Sequence, residues 1–244
     1  MSCIIELRDV GFSAQGRRLV RGVSFRFEEG MTSALVGPSG GGKSTVLKLA
    51  AGLCIPCEGE VLFRGRAIAR MSRQEDLAFR REGAFVFQDA ALWANQTLFQ
   101  MLELPLRVHF PSMTARDRRH RIESVVAEVG YRRELGIRPA GLSMGEQKLL
   151  AFARALICGP RLLFLDEWTE SLDEKAAQHL IGIVRRMKSE GATVILVSHD
   201  PRIIRGLSDV VLLVSGGTIS FRLTGEQIAS DEDLGHLMEM GVGE

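Results

Sequence analysis

The nine residues GPSGGGKST, Gly37–Thr45, decide how the chain is read. They place Gly37, Gly40, Gly41 and Gly42 beside Lys43, with Ser44 and Thr45 immediately after it. The spacing Gly37-x-x-x-x-Gly42-Lys43-Ser44 is that of a phosphate-binding loop. Glycines let backbone N–H groups turn inward and let phosphate oxygens approach closely. The helix that follows presents free N–H groups and the positive end of its dipole to an anion. Lys43 adds a full positive charge on the outer phosphates, and Ser44 offers a hydroxyl to Mg2+. Pro38, Ser39 and Thr45 complete the set expected to surround the nucleotide phosphates. The context agrees. SALVG at 33–37 is a short apolar run that reads as a buried strand, and KSTVLKLAAGL at 43–53 has helical periodicity.

A loop of this kind needs a carboxylate for the metal at the end of a neighbouring strand. RLLFLDE at 161–167 supplies one after a run of apolar residues. Asp166 is placed to hold Mg2+, directly or through water, and Glu167 to polarise a water for attack on a γ-phosphate.

Around these two motifs strands alternate with helices. IIELRDV (4–10) and LVRGVSFRF (19–27) read as strands joined by a hairpin turn in AQGRR. EGEVLFRG (58–65), GAFVFQ (83–88) and ATVILVSH (192–199) read as further strands, and DVVLLVSGG with TISFRL as a final hairpin. DEKAAQHLIGIVRRMKSEG (173–191) reads as a helix closed by Gly191. Between Asp89 and Ala140 strand signals stop. TLFQMLELPLRVHF (97–110) reads as an apolar helix broken by Pro105, and TARDRRHRIESVVAEVG (114–130) as an amphipathic helix capped by Thr114. The expected fold is α/β: a P-loop NTPase core with a mainly parallel sheet, an N-terminal antiparallel β part and an inserted helical lobe. Residues 1–244 form one domain, with core segments 1–88 and 141–222, the lobe at about 89–140, and a short tail, 223–244, expected to carry a surface helix.

Composition excludes several classes. A formal net charge of +1 and the lack of a basic stripe give no footprint for nucleic acid. The opening MSCIIELRDV lacks the basic start and apolar core of a leader, and no run approaches the roughly 20 apolar residues that span a bilayer. The expected location is therefore cytoplasmic. Cys54 and Cys57 form a lone C-x-x-C with no further ligands nearby, read as two reduced thiols in a turn.

Further motifs resemble those of one family, the ATP-binding cassette (ABC) ATPases. Gln88 stands at the family's Q-loop glutamine, LSMGEQ (142–147) at its signature, SLD (171–173) at its D-loop, and His199 of SHD at its switch histidine, in the family's order. The resemblance implies ATP and Mg2+ as ligands, with Gln88 and His199 joining Glu167 in catalysis and Gln88 joining Ser44 and Asp166 at the metal. It implies a head-to-tail dimer of two copies, with each ATP between one copy's loop and Ser143, Met144 and Gly145 of the other, and Asp173 at the dimer contact. Ser143 and Glu146 also read on their own as an S-x-x-E capping box opening the helix EQKLLAFARAL. That makes the signature a helix N-terminus suited to a phosphate presented from outside.

The chain departs from the family at four places. Met144 replaces the first signature glycine, Glu146 the glutamine, Trp168 the proline after the Walker B glutamate, and Ala14 the aromatic that stacks on adenine. Phe12 lies on the same strand face as Ala14 and is a candidate either to substitute for that aromatic or for core, core being the expectation. The resemblance further implies integral-membrane permease subunits as partners, and hence a peripheral place on the inner face of the membrane. Trp93, Leu98, Phe99 and Leu102 are candidates for a docking groove or for core, core being the expectation for all but Trp93. The stretch FVFQDAALWANQTLFQMLELPLRVH (85–109) resembles the Mla/Mce-type phospholipid-transport ATPases. Lipoprotein-release and amino-acid-import ATPases share most of the motifs. A non-transport ABC ATPase and a nucleotide-dependent switch are the alternatives of another class.

Overall fold

Residues 2–229 are described in the computed structural model, and the surface helix expected in the tail lies outside them except for one short turn, Glu226–Ala229. Strands β1 (Cys3–Ala14) and β2 (Arg17–Glu28) pair antiparallel around Gln15 and Gly16. Both turn residues have positive φ (50° and 71°), which matches the right-handed twist of a hairpin. The chain continues through β3 (Thr32–Val36), α1 (Lys43–Ala50), β4 (Glu58–Phe63), β5 (Arg66–Ala67), α2 (Arg73–Glu82) and β6 (Gly83–Val86). Helices α3 (Leu98–His109), α4 (Ala115–Glu128) and α5 (Met144–Leu156) follow. The remainder is β7 (Leu162–Asp166), α6 (Glu174–Ser189), β8 (Thr193–Val197), α7 (Pro201–Leu207), β9 (Val210–Ser215) and β10 (Thr218–Thr224).

The strands make two sheets. One is antiparallel, in the order β2-β1-β4-β5; the other runs β10-β9-β3-β8-β7-β6, parallel throughout except for the antiparallel β10. Every residue of β3, β7 and β8 is buried. Because side chains alternate along a strand, such a strand must feed two cores. Val194 and Leu196 pack with α3–α7 on one face, while Ile195 and Val197 pack with α1, α2 and the antiparallel sheet on the other. Leu163 and Leu165 against Leu162 and Phe164 repeat the division in β7.

No strand occurs in residues 89–140. The apolar stripe Ile122, Val125 and Val126 of α4 is buried against Leu98, Met101, Leu102 and Leu106 of α3 in a core shared with α5. Leu98, Leu102 and Phe99 thus pack as core; Trp93 is exposed, with the Arg154 guanidinium over its ring. One expectation is corrected here. Pro105 does not break its helix: α3 runs unbroken to His109. A proline inside a helix costs about 3 kcal/mol through its missing N–H and ring clash. Burial of four large apolar residues along α3 outweighs that cost.

Two helices had no place in the sequence reading. Helix α2 is capped by Ser72, whose hydroxyl accepts from the Glu75 N–H while Glu75 accepts from the Ser72 N–H. The S-x-x-E spacing was the available signal. Helix α7 opens with Pro201 after Asp200, whose carboxylate accepts from the Arg202 N–H. Gly191 follows the end of α6 with φ of 90°, as expected of a C-terminal glycine.

Pro105→Ala restores a backbone donor inside α3 and should raise the free energy of unfolding by about 1–2 kcal/mol, after allowance for the freer unfolded chain. Chemical denaturation measures it. A loss of stability would mean that the proline ring itself fills a space the helix needs.

Candidate nucleotide site

The parallel strands set the geometry. The glycine loop follows β3, His199 follows β8, Asp166 ends β7, and Gln88 follows β6. Those four strands are consecutive neighbours in the sheet, so all four motifs emerge side by side at its carboxyl edge. Open α/β sheets bind ligands along that edge.

The loop itself is held in a form that only glycine allows at two points. Gly37 has φ of 134°, and a β-carbon there would sit 2.2 Å from the Val214 carbonyl oxygen. Gly42 has φ of 102°, and a β-carbon there would sit 2.8 Å from the Leu19 carbonyl oxygen. The Gly217 N–H donates to the Gly41 carbonyl at 3.0 Å, so the β9–β10 turn braces the loop. Gly42 precedes the first turn of α1, and the Val46 N–H closes that turn on the Gly42 carbonyl. Lys43 Nζ donates to the carbonyls of Gly37 and Pro38, each at 2.8 Å, which holds the ammonium inside the curve of the loop. Burial lowers the Lys43 pKa, opposed by the charges of Glu167 and Asp166. Ser39 and Gly40 are exposed at the tip, and Thr45 is half-buried behind.

Ser44 Oγ donates to Asp166 Oδ1 at 2.8 Å. Asp166 is 2% exposed, and this burial raises its carboxyl pKa despite the Ser44 hydrogen bond and three lysines nearby. A buried carboxylate joined to a hydroxyl beside a phosphate loop is an all-oxygen donor pair suited to Mg2+, which is held by one or two carboxylates plus substrate phosphates. The residues therefore fit the metal. Among the described residues no group of three or more His, Cys, Asp or Glu offers a metal cage independent of a ligand.

Glu167 is the most constrained residue of the site. Its φ is 41°, left-handed for a residue with a β-carbon. Its N–H donates to the Val197 carbonyl at 3.1 Å, its carbonyl accepts from Lys148 Nζ at 2.9 Å, and its Oε2 lies 3.0 Å from His199 Nδ1. Burial raises the Glu167 pKa, with the His199 hydrogen bond acting against it. The His199 side chain is 74% exposed, so it covers the carboxylate from the solvent side.

Lys43, Ser44, Asp166, Glu167 and His199 thus come together. Gln88 does not join them directly: its Nε2 donates to Glu170 Oε2 at 3.0 Å. Asp173 caps α6, accepting from the Ala176 N–H. Ser143 caps α5 in the expected box, with Glu146 also paired to Arg133. Glu146 is therefore committed within the chain, and both interactions lower its pKa. Met144 is 52% exposed. At Gly145 a β-carbon would meet the Ser171 carbonyl at 3.4 Å, an ordinary contact, so a need for glycine there would come from a facing molecule. Trp168 is buried and stacks on Phe152 of α5, ring centroids 5.4 Å apart. Ala14 pairs with Arg17 at the end of β1, and Phe12 packs into the core beneath.

Sequence reasoning missed Lys148, Glu170 and Arg154. The Arg154 guanidinium donates to the carbonyls of Ala90 and Ala91, both left-handed (φ 60° and 47°), just beyond Gln88. The visible signal for the two cations was their presence in the otherwise apolar run KLLAFARAL.

Residues 20–170 match the family described as ABC transporter. The cell division ATP-binding protein FtsE of Escherichia coli (strain K12) is 32% identical over 202 residues, covering 83% of this chain and 90% of that protein. The macrolide export ATP-binding/permease protein MacB of Marinobacter nauticus is 34% identical over 207 residues, 83% of this chain, but the chain spans only 32% of its length. Among solved structures, the dimeric ATP-binding cassette MJ0796 in a post-hydrolysis state with ADP and Pi superimposes with a TM-score of 0.83 at 27% identity, covering 91% of this chain and 98% of that one.

The buried carboxylates carry a stability signature. A carboxyl whose folded pKa lies above its unfolded value costs stability once ionised, so stability falls as pH rises from about 4 through the folded value. Asp166→Asn removes that cost. Its unfolding midpoint should exceed the parent's at pH 8, and the gain should shrink toward pH 4, where the parent carboxyl is protonated. Denaturation across that range checks it. A gain that grows on acidification would reverse the sign.

Proposed function

The chain belongs to the ABC transporter family, and on that premise we propose that it is the ATP-hydrolysing subunit of a membrane transporter. The observation that carries the reading is the convergence of Lys43, the Ser44–Asp166 pair and the Glu167–His199 pair on adjacent strand ends. The glycine loop and Lys43 hold the phosphates, and Ser44 with Asp166 would hold Mg2+, which would supply neutralisation of phosphate charge. Glu167 orients a water and takes its proton as the water oxygen bonds to the γ-phosphorus and the bond to the β-phosphate oxygen breaks. His199 keeps the Glu167 carboxylate facing the reaction. Gln88 senses the site through Glu170, one residue outside the reacting centre.

The signature completes the site from a second copy. Ser143, Met144 and Gly145 open α5 at the surface, where the N–H groups of the first helical turn face outward toward a partner's γ-phosphate. Asp173 lies beside this contact. The likeness to a dimeric cassette supports the arrangement. No helix among the described residues is long and apolar enough to cross a membrane. The coupling to transport is proposed to run through integral-membrane permease subunits at the inner face. The exposed Trp93, beside Pro105 and Arg154, is the proposed docking point. The cargo is proposed to be a phospholipid, on the resemblance of residues 85–109; the relatives named for macrolide export and cell division keep other cargoes in view.

Glu167→Gln should bind MgATP with parental affinity and hydrolyse it about 10²- to 10⁴-fold more slowly. Equilibrium binding and phosphate release measure the two halves. Parental turnover would exclude Glu167 as the base. For the partner and cargo, the tagged chain extracted from its native membranes in mild detergent should retain integral-membrane subunits with bound phospholipid enriched over the bulk membrane. Recovery with soluble partners alone would contradict the transporter reading, and a permease without lipid enrichment would contradict the cargo.

A further inference from the structure

Lys148 is 1% exposed, on the inner face of α5 among Leu150, Ala151 and Phe152. Among the described residues its ammonium makes one hydrogen bond, to the backbone carbonyl of Glu167. A buried cation is costly unless well compensated, and one neutral carbonyl does not fully offset the loss of water. Burial depresses its pKa, while the charges of Glu170, Asp166, Glu167 and Asp89 work the other way. An apolar side chain of similar length would suit the core better. The placement therefore points to a use other than stability.

That use follows from what the hydrogen bond holds. Glu167 sits in a left-handed conformation that is unfavourable for a residue with a β-carbon. Such a residue keeps its geometry only where its surroundings fix it. Its N–H is fixed to Val197, two residues before His199, and its carbonyl is fixed to Lys148. Lys148 stands five residues after Ser143, about 7.5 Å along the same rigid helix. The helix end that faces a second copy and the peptide that aims the Glu167 carboxylate are thereby joined by one side chain.

We propose that Lys148 is a positioning residue that couples the N-terminus of α5 to the conformation of Glu167. When the helix end seats on a partner's phosphate, the ammonium carries that displacement to the Glu167 peptide and brings the carboxylate into line. The proposal rests on the ATPase reading above.

The test compares Lys148→Met and Lys148→Gln with the parent, in the full chain, by steady-state phosphate release, equilibrium ATP binding and thermal unfolding. Misplacing a reacting group by about 1 Å can cost about 10²-fold in rate. Lys148→Met should lower kcat by about 10- to 100-fold, with KM and ATP affinity within about twofold of the parent and an unfolding midpoint equal or higher. Lys148→Gln keeps an N–H donor on a shorter arm and should fall between the two. A kcat in Lys148→Met equal to the parent's, or lost only in step with ATP affinity or fold, overturns the proposal. Should Lys148→Met fail to fold, Lys148→Gln decides: a kcat equal to the parent's overturns it, and a reduced kcat with intact ATP binding supports it. A parent without ATPase activity would instead defeat the underlying reading.

Discussion

The hydrogen bonds that hold Glu167 organise the site. One residue is tied through its N–H to β8, through its carbonyl to α5 and through its carboxylate to His199. Two ties reach the segment that runs from β8 to His199 and the third reaches α5, so the orientation of the carboxylate reports on both. The strained φ of 41° makes these ties necessary, since the peptide would otherwise relax toward the right-handed or extended region. The same crowding keeps the carboxyl out of water and raises its pKa, which makes it a better proton acceptor than an exposed glutamate.

Helix α5 is the second organising element. Its N-terminus is capped by Ser143 and Glu146, while Lys148 and Phe152 share one face and Arg154 points from another. These touch the Glu167 carbonyl, the Trp168 ring and the carbonyls of Ala90 and Ala91. Both segments contacted carry left-handed residues other than glycine. One helix therefore braces the Glu167 peptide on one side and the segment after Gln88 on the other. The replacement of proline by Trp168 fits this arrangement, because the indole extends the packing of β7's end onto α5.

The fold was legible where period and punctuation agree. The apolar runs of β3, β7 and β8, the glycine loop and the Thr114 cap each state their structure locally. Where tertiary packing overrides a local preference, the sequence misleads. Pro105 carries a helix-breaking signal, yet the burial of Leu98, Met101, Leu102 and Leu106 holds α3 together. Helix α2 was hidden by its polar, arginine-rich surface, with Phe79 alone buried. In the site, the residues proposed to meet phosphate and metal were legible because that chemistry fixes their spacing. Lys148, Arg154 and Glu170 were not, because their partners are backbone or side-chain groups 19 to 82 positions away that only the folded sheet brings near. Gln88 shows the same limit: its motif named it for the metal, while its contact with Glu170 appears only in the folded chain.

The most direct test is a crystal structure of Glu167→Gln with MgATP. The expected result is two copies with ATP closed between the Gly37–Thr45 loop of one and the Ser143–Gly145 turn of the other. Residue 167 should face the water in line with the γ-phosphate, with Lys148 Nζ still on its carbonyl. ATP bound to a single copy, or residue 167 turned away from the γ-phosphate with another carboxylate in its place, would contradict the account.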